Sequence, residues 1–313
     1  MPDTCFARGE MPESVTRHGR LAAAAFTAWL CLTGPGAANE PGIYIPAWNT
    51  QCAIGKDIAQ GCEAVRARTI VDAARYPWAA VGRINFAGYR TRQHCTGALV
   101  GERLVLTAAH CLYDRRDRKW LKPQSINFLA GYQRGTHVAH ARAAGYIVSK
   151  THKTGSREHR YNPRQDWALI ELQAPIGART GYLGWSALDG DGLKRALQGG
   201  GKIALAGYPG LRKEVLSVDM KCGGAQAEKS GHVLIHRCSA MRGDSGGPLL
   251  LLEDGKATIV GVHSGGVARS GKVVPVSPGV AGFYQTILRA LGRNRAEKSK
   301  DGRIGLPGLT PGR

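Results

Sequence analysis

The sequence predicts an all-β protein. From residue 79 onward, short apolar runs with alternating polar positions are separated by turn residues, a pattern typical of strands. Glycine is abundant, with 43 of 313 residues, and Asp254-Gly255 separates two apolar runs, where this dipeptide favours a hairpin. The length is sufficient for one large or two small hydrophobic cores.

The apolar runs form two groups of predicted strands. The first group comprises residues 79–86, 96–100, 104–107, 126–131, 138–148 and 167–172. The second group comprises residues 203–207, 215–220, 233–238, 248–253 and 257–263. After them, the polar segment 293–313 carries glycine and proline near its end and is predicted to be a basic disordered tail.

Residues 1–38 are interpreted as a signal peptide. A short basic region at 17–20 precedes an apolar run at 21–32 that is too short to span a bilayer. Small residues at 36–38 favour cleavage before Asn39. We therefore expect a secreted or periplasmic protein, the alternative being that the apolar run is a buried core helix.

The formal net charge is +20, so the surface attracts anions in general. Two loops concentrate this charge, residues 115–119 and 150–164. They are either solvated loop tips or a binding surface for an anionic partner. No helix-turn-helix, zinc-finger or RNA-binding signature occurs, so no specific nucleic acid is expected as a partner.

The chain is predicted to be a monomer.

Two of the eight cysteines, Cys5 and Cys31, lie in the predicted signal peptide, and six remain after its removal. In an exported chain such cysteines indicate a disulfide framework, and six thiols allow 15 pairings, which the residues alone leave open. Zinc binding is the competing use, but the sequence contains no Cys-x-x-Cys pair. Neither a metal nor a cofactor is expected.

The run Gly243-Asp244-Ser245-Gly246-Gly247-Pro248 has the composition of a nucleophile loop. Glycines on both sides of Ser245 permit a backbone that approaches a substrate closely. The N–H groups of Gly243 and Ser245 are candidates for binding the negative charge on a carbonyl oxygen. A serine nucleophile requires a base and a carboxylate. The candidates are His110, after the apolar run 104–106, and Asp166, at the start of another.

Three runs, Thr-Ala-Ala-His-Cys at 107–111, Asp-Trp-Ala-Leu-Ile-Glu-Leu at 166–172 and Gly-Asp-Ser-Gly-Gly-Pro at 243–248, occur in the order His, Asp, Ser. With them the chain resembles the trypsin/chymotrypsin-like serine proteases across residues 70–291. The resemblance implies two packed six-stranded antiparallel β-barrels and a short C-terminal helix at 282–291.

The same resemblance implies a secreted serine endopeptidase that acts on proteins or peptides through an acyl-enzyme. His110 would be the general base, and Asp166 would orient it, both on the first barrel. Ser245 would be the nucleophile on the second barrel. The alternative of another class is a protease-like protein that has lost catalysis and binds anionic surfaces. An esterase without peptidase activity is a third interpretation, because both reactions use one acyl-transfer site.

The predicted domains are a pro-segment at 39–69 and a protease domain at 70–292. In trypsin-like enzymes a cut exposes an N-terminus whose ammonium pairs with the aspartate beside the catalytic serine. Ile70-Val71 is the candidate terminus, which predicts maturation between Arg66 and Ile70. The physical reason is Asp244, because a buried carboxylate without a positive partner is costly.

The resemblance also implies one disulfide, Cys95 with Cys111, which ties the loop of the candidate base to its barrel. We further expect Cys222 to pair with Cys238, before the nucleophile loop. Cys52 and Cys62 are the remaining pair.

Substrate-binding residues follow from the resemblance as well. Ser239 occupies the position of the pocket floor and is not an aspartate, which disfavours Lys or Arg at the cleaved position. His263 occupies the position at which bacterial glutamyl endopeptidases bind the substrate carboxylate, and Arg242 stands near the pocket rim. We therefore expect a preference for Glu at P1, although Ala240 departs from that pattern because it lacks a hydroxyl.

Two further residues complete the candidate site. Ser264 matches the family serine that hydrogen-bonds the triad aspartate, and the strand through Gly266 would pair with the substrate backbone. Other histidines, among them His94, His137 and His140, carry no such motif and are expected at the surface.

Overall fold

The computed structural model of the chain describes residues 43–46, 59–86, 94–149, 162–269 and 272–300. The predicted signal peptide at 1–38, the pro-segment residues 47–58, most of the basic loop at 150–164 and the end of the tail at 301–313 lie outside these ranges. Within them, no helix is long and apolar enough to cross a membrane.

Strands make up most of the regular structure in the described ranges. In chain order they are β1 (Ile43–Pro46), β2 (Thr69–Ile70), β3 (Val81–Phe86), β4 (His94–Leu99), β5 (Leu104–Thr107), β6 (Tyr113–Asp114), β7 (Lys119–Trp120), β8 (Ile126–Ala130), β9 (Ala139–Val148), β10 (Ala168–Leu172), β11 (Gly184–Trp185), β12 (Lys202–Gly207), β13 (Ser217–Asp219), β14 (Ala225–Ala227), β15 (Val233–His236), β16 (Pro248–Glu253), β17 (Lys256–Val262), β18 (Gly265–Arg269) and β19 (Lys272–Pro278). The α-helices are α1 (Ala59–Arg66), α2 (Gly177–Thr180), α3 (Gly190–Gln198) and α4 (Tyr284–Lys300).

The first group of strands closes into a six-stranded barrel in the order β10-β5-β4-β3-β8-β9. Alternation of buried and exposed positions explains the closure: in β8, Ile126, Phe128 and Ala130 are fully buried and the residues between them are not. Such a period of two places one side of each strand in the barrel interior.

The second group of strands, together with β1, β2, β11, β14, β18 and β19, forms two sheets, β11-β17-β16-β12-β13-β2 and β1-β18-β19-β15-β14. All of their strand pairs are antiparallel except β11 with β17. A bridge between Gly261 and Gly279 and a hydrogen bond from Ser264 N to Val276 O, 3.2 Å, connect the two sheets. The predicted hairpin is present between β16 and β17, with positive φ at Asp254 and Gly255. The predicted all-β, two-barrel fold is therefore confirmed, the second barrel being built from these two sheets.

The largest hydrophobic cluster extends from the first barrel into the second, which also has a separate cluster around Leu205, Leu234 and Leu249. The larger cluster includes Leu106 and Phe128 of the first barrel together with Ala204 and Leu250 of the second. The C-terminal helix closes one side, where Phe283, just before α4, stacks on Trp167 with ring centroids 4.9 Å apart. Because the larger cluster joins the two barrels, the ends of β5, β10 and β16 are held at one junction.

Two strands and two helices are among the elements that differ from the sequence prediction. The apolar pattern predicts neither β18 nor β19, because Gly265-Gly266 and two prolines weaken their strand signal. The strand through Gly266, expected only from the family resemblance, is β18. Helix α3 was missed because its first turn contains two glycines; Asp189 caps it by accepting a hydrogen bond from Gly192 N at 2.7 Å. Helix α4 extends to Lys300, into the segment predicted to be disordered, since no glycine or proline interrupts 293–300.

Two disulfides are present among the described residues. Cys95 in β4 is joined to Cys111, beside His110, with Cα atoms 6.2 Å apart. Cys222 is joined to Cys238, before the nucleophile loop, with Cα atoms 4.2 Å apart. Both are pairs that we expected. The third expected pair involves Cys52, which lies outside the described residues.

Candidate active site

His110 and Asp166 are brought together by neighbouring strands. His110 follows β5 in a 3-10 turn, and Asp166 precedes β10, which pairs antiparallel with β5. The His110 ring nitrogen Nδ1 lies 2.6 Å from Asp166 Oδ2, and the His110 backbone N–H donates to Oδ1 at 2.7 Å. An ionised carboxylate only accepts hydrogen bonds, so Nδ1 carries the proton and the neutral imidazole has its lone pair on Nε2.

Ser264 adds a third hydrogen bond to the same carboxylate. Its hydroxyl donates to Asp166 Oδ2 from the second barrel. Both residues are fully buried, and a buried carboxylate is tolerated only when hydrogen bonds satisfy its oxygens. Asp166 is therefore fixed by donors from both barrels.

Ser245 lies at the junction, on the loop before β16, and is 4% exposed. Its carbonyl accepts from Thr96 N at 2.8 Å, which ties the loop to β4 of the first barrel. Gly246, with φ +80, is required next to it, because a Cβ there would collide with Thr107 Oγ1 and Thr96 O. In this structure the Ser245 hydroxyl and His110, both in the described ranges, are not hydrogen-bonded to each other. Such contacts often tighten only when substrate is bound.

The candidate oxyanion hole consists of the N–H groups of Gly243 and Ser245. Gly243 has φ +104 and its carbonyl is held by the Thr96 hydroxyl at 2.8 Å. In the described part of the chain, neither N–H group donates to a protein acceptor. The loop thus presents two donors that need no rearrangement to meet a developing oxyanion.

His94 supports this loop, contrary to the expectation that it lies at the surface. It is part-buried, and its Nε2 lies 2.7 Å from Tyr208 O. Burial lowers its pKa to about 4, so the ring is neutral near pH 7 and Nε2 donates to the carbonyl. The prediction for His94 is wrong because β4 turns its first residue toward the nucleophile loop. His137 and His140 are exposed, as expected.

Arg68 is the largest omission of the sequence interpretation. Its guanidinium forms a bidentate pair with Asp244, with Nη1–Oδ1 at 2.8 Å and Nη2–Oδ2 at 2.9 Å. Both side chains are fully buried. The sequence interpretation places Arg68 in the pro-segment and gives it no role. The requirement of a buried Asp244 for a positive partner is the signal that pointed to such a cation.

Ser239, the predicted pocket-floor residue, is hydrogen-bonded to two charged groups. Its N–H and its hydroxyl both donate to Asp219 Oδ2, at 2.7 and 2.8 Å. Its hydroxyl oxygen accepts from Arg68 Nε at 3.2 Å. The Ser239 hydroxyl is therefore engaged by protein groups on both sides.

His263 forms a buried pair with His236, which the sequence did not single out. His263 Nδ1 lies 3.3 Å from His236 Nε2, and both rings are fully buried. Burial lowers the pKa of His263 well below its ordinary value and that of His236 to about 3. Both rings are neutral near pH 7. Among the described residues, His263 Nε2 and His236 Nδ1 have no hydrogen-bond partner.

The remaining predicted substrate-binding residues differ in their exposure and place in the fold. Ala240 is buried and Arg242 is exposed. Gly266 lies in β18, where it pairs with Pro275 of β19 on one side. In the basic loop at 115–119, all residues are exposed and Lys119 pairs with Asp117 at 2.8 Å.

One cluster has the geometry of a metal site: ligand atoms of Cys95, His110 and Cys111 lie within 4.8 Å of one another. The two sulfur atoms are bonded to each other. Because neither is a thiolate, the cluster does not provide a metal site.

A two-barrel fold with a histidine–aspartate pair facing a Gly-Asp-Ser-Gly loop is the arrangement of the trypsin-like serine proteases. A model of the Trypsin family matches residues 70–287, well over half of the chain. The chain therefore belongs to the trypsin family.

Among characterised proteins, a glutamyl endopeptidase of Bacillus licheniformis is 24% identical over 212 residues, covering 63% of this chain and 58% of that protein. The CLIP domain-containing serine protease B14 of Anopheles gambiae is 25% identical over 260 residues, covering 69% and 67%. A solved structure of a Glu endopeptidase in complex with MPD matches with a TM-score of 0.56 and 25% identity, covering 71% of this chain and 95% of that one. The chain thus spans little more than half of the length of the Bacillus relative.

The buried histidine pair predicts acid-sensitive stability. Unfolded histidines gain protons below about pH 6.5, whereas folded His236 does not until about pH 3. The folded state therefore loses stability as the pH falls below 6.5, by at most about 1.4 kcal/mol per pH unit for each such group. His236→Gln should reduce the slope of unfolding free energy against pH between 6.5 and 4.5, measured by urea unfolding in a Ser245→Ala background. Exposed His140→Gln is the control; an unchanged slope in His236→Gln contradicts the prediction.

Proposed function

We propose that the protein is a secreted serine endopeptidase that hydrolyses peptide bonds with Ser245, His110 and Asp166. The observation that carries the proposal is the buried Asp166 carboxylate, which binds His110 through Nδ1 and leaves Nε2 as the basic nitrogen. Membership of the trypsin family supports it. Protein or peptide substrates are implied by that family.

The first half of the reaction is acyl transfer to the serine. His110 Nε2 takes the proton of the Ser245 hydroxyl while Oγ bonds to the peptide carbonyl carbon. The carbonyl oxygen becomes negatively charged and accepts hydrogen bonds from the N–H groups of Gly243 and Ser245. When the C–N bond breaks, the imidazolium returns the proton to the leaving amine, and an ester of Ser245 remains.

The second half repeats these steps with water. His110 takes a proton from water, whose oxygen attacks the ester carbon, and then protonates the Ser245 oxygen as it leaves. In both halves Asp166 keeps the imidazole in one tautomer and stabilises its protonated form. Ser264 holds the carboxylate in place from the second barrel.

A preference for Glu at P1 is the finer part of the proposal. If His236 Nε2–H donates to His263 Nδ1, the proton of His263 is on Nε2, which has no protein partner among the described residues. That N–H is a donor for a substrate carboxylate. Ser239 at the predicted pocket floor is not an acid, which disfavours Lys or Arg at P1. The Bacillus relative is named a glutamyl endopeptidase.

Export to an oxidising compartment, periplasmic or extracellular, agrees with the two disulfides of the described chain. We retain the predicted order of signal peptide, pro-segment, protease domain and tail, and a monomeric state. The exposed basic loop at 115–119 can bind an anionic surface in a catalytically active enzyme. Such binding is the main function only in the alternative proposal, a protease-like protein without catalytic activity.

The first experiment tests catalysis. The secreted protein should react with a fluorophosphonate probe, and Ser245→Ala should abolish labelling and lower peptide hydrolysis on the order of 10⁶-fold, because the nucleophile is lost. Ser230→Ala, a change at an exposed serine, is the matched control. A folded wild-type protein that neither labels nor cleaves peptides would favour the protease-like binding protein instead.

The second experiment tests P1 preference. Digestion of a proteome-derived peptide library, read by mass spectrometry, should give cuts predominantly after Glu. In matched peptides, kcat/KM for Glu should exceed that for Gln at least about tenfold, a difference of about 1.4 kcal/mol, and His263→Asn should remove most of this ratio while Ala at P1 is affected less. A flat or aromatic preference would exclude the assignment.

A further inference from the structure

We propose that Arg68 is a built-in cation that holds the oxyanion loop in its active form, replacing the ammonium of a new N-terminus. The proposal rests on the proposed serine protease function. Asp244 lies between the two oxyanion donors, Gly243 and Ser245, so the charge partner of Asp244 decides where both donors point. Arg68 is thereby a positioning residue, acting through Asp244.

Three hydrogen bonds hold the Asp244 carboxylate. The two carboxylate oxygens each receive one guanidinium N–H, and Oδ2 also accepts from Met241 N at 2.9 Å. Burial raises the pKa of the Asp244 carboxyl, and the charge of Arg68 opposes this rise. A bidentate, fully buried pair of this kind is geometrically specific. It fixes the turn of the loop as well as its charge.

The segment that carries Arg68 is packed on the protease body. Val65 is fully buried against Met241 in a small cluster. Arg212 donates through Nη1 to Arg68 O at 3.1 Å and through Nη2 to Arg66 O. Although we predicted a pro-segment up to residue 69, its last part contributes structure next to the nucleophile loop.

In the intact chain Ile70, the predicted new terminus, is not the partner of Asp244. It lies in β2, paired with Ser217 of β13, and is 46% exposed. For its ammonium to reach Asp244, the buried guanidinium of Arg68 would have to leave. A cut after Arg68 would separate the cation from the enzyme, whereas a cut before Arg68 would keep it. We therefore infer that maturation, if it occurs, leaves Arg68 in the mature chain.

Four variants of the full-length secreted protein test this inference: Arg68→Ala, Arg68→Lys, Asp244→Asn and the double variant Arg68→Ala/Asp244→Asn. Arg68→Ala should lower kcat about 10²- to 10³-fold, the typical effect of losing an oxyanion donor, with KM changed much less. Arg68→Lys should restore part of kcat. The double variant should be no slower than Arg68→Ala, because no unpaired carboxylate remains. Arg75→Ala, at an exposed arginine of the same region, is the control.

The pH profile separates positioning from a general loss of structure. Without Arg68, burial and the nearby charge of Asp219 make the Asp244 carboxyl harder to ionise, and its ionised form keeps the Met241 N–H but has no cation beside it. The activity of Arg68→Ala relative to wild type should therefore fall as the pH rises, and Asp244→Asn in the same background should remove this dependence. Folding of each variant is checked by circular dichroism; Arg68→Lys and Asp244→Asn keep the test valid if Arg68→Ala does not fold.

Two results would overturn the inference: wild-type kcat in Arg68→Ala, or an active secreted species whose N-terminal sequence begins at Thr69 or Ile70. Fluorophosphonate labelling of the wild type distinguishes failure of this inference from failure of the proposed function. If the wild type is labelled but kcat does not change in Arg68→Ala, only this inference is contradicted. If the wild type is not labelled, the proposed function is contradicted.

A second, independent observation concerns the edge of β18. On one side β18 pairs with β19, and on the other β1 of the predicted pro-segment pairs antiparallel with it, Ile45 opposite Gly266 and Pro46 opposite Gly265. The strand through Gly266 is the one expected to pair with the substrate backbone. We infer that β1 occupies the substrate edge in the intact chain and that the pro-segment is autoinhibitory.

The reason is geometric exclusion. An extended peptide binds a sheet edge through the backbone N–H and C=O groups of the edge strand. Each of these groups in β18 is available to one antiparallel neighbour, so β1 and a substrate compete for the same edge. A cut between β1 and Arg68 would free the edge and retain the cation of Asp244.

The test uses the intact Ser245→Ala chain, which cannot process itself. Ile45→Pro interrupts the strand and should increase hydrogen exchange at residues 265–269 and tighten binding of an extended peptide about tenfold, as expected if about 1.4 kcal/mol of competition is removed. Glu40→Pro, outside β1, is the control. Unchanged exchange at 265–269 together with unchanged peptide affinity contradicts the inference.

Discussion

The site depends on one buried carboxylate that is shared by the two barrels. Asp166 accepts from the backbone and the ring of His110 in the first barrel and from the Ser264 hydroxyl in the second. None of these hydrogen bonds can shift independently, because Asp166 has no solvent to replace a missing donor. The position of the imidazole is therefore a consequence of how the barrels pack.

A second buried carboxylate, Asp244, imposes a similar requirement on the nucleophile loop. Here the partner is a cation, Arg68, from a segment that precedes the first barrel in the sequence. The same guanidinium contacts Ser239, so the nucleophile loop and the predicted pocket-floor residue are hydrogen-bonded to one side chain. The loop, Ser239 and the strand edge at β18 are thus all in contact with residues before position 70.

Much of the fold was predictable because the signals are local. Alternating apolar positions in β8 and β9 and the Asp254-Gly255 turn lie within a few residues of one another, and the structure agrees with them. The apolar pattern does not predict β18 or β19 because glycine and proline suppress strand propensity, and only pairing with neighbours compensates. The strand through Gly266 followed from the family resemblance alone. His94 was misassigned for a related reason, since its burial depends on Tyr208, distant in sequence.

The sequence by itself determined which groups are present: a serine within glycines, and a histidine and an aspartate in family order, since each of these lies in a short run of residues with its own chemical requirement. It left the pairing of the cysteines open. Only the tertiary structure decided which cation neutralises Asp244 and that His236 lies against His263. Both contacts join residues far apart along the chain, and the choice among many arginines and histidines is made by packing and burial, which no local pattern records.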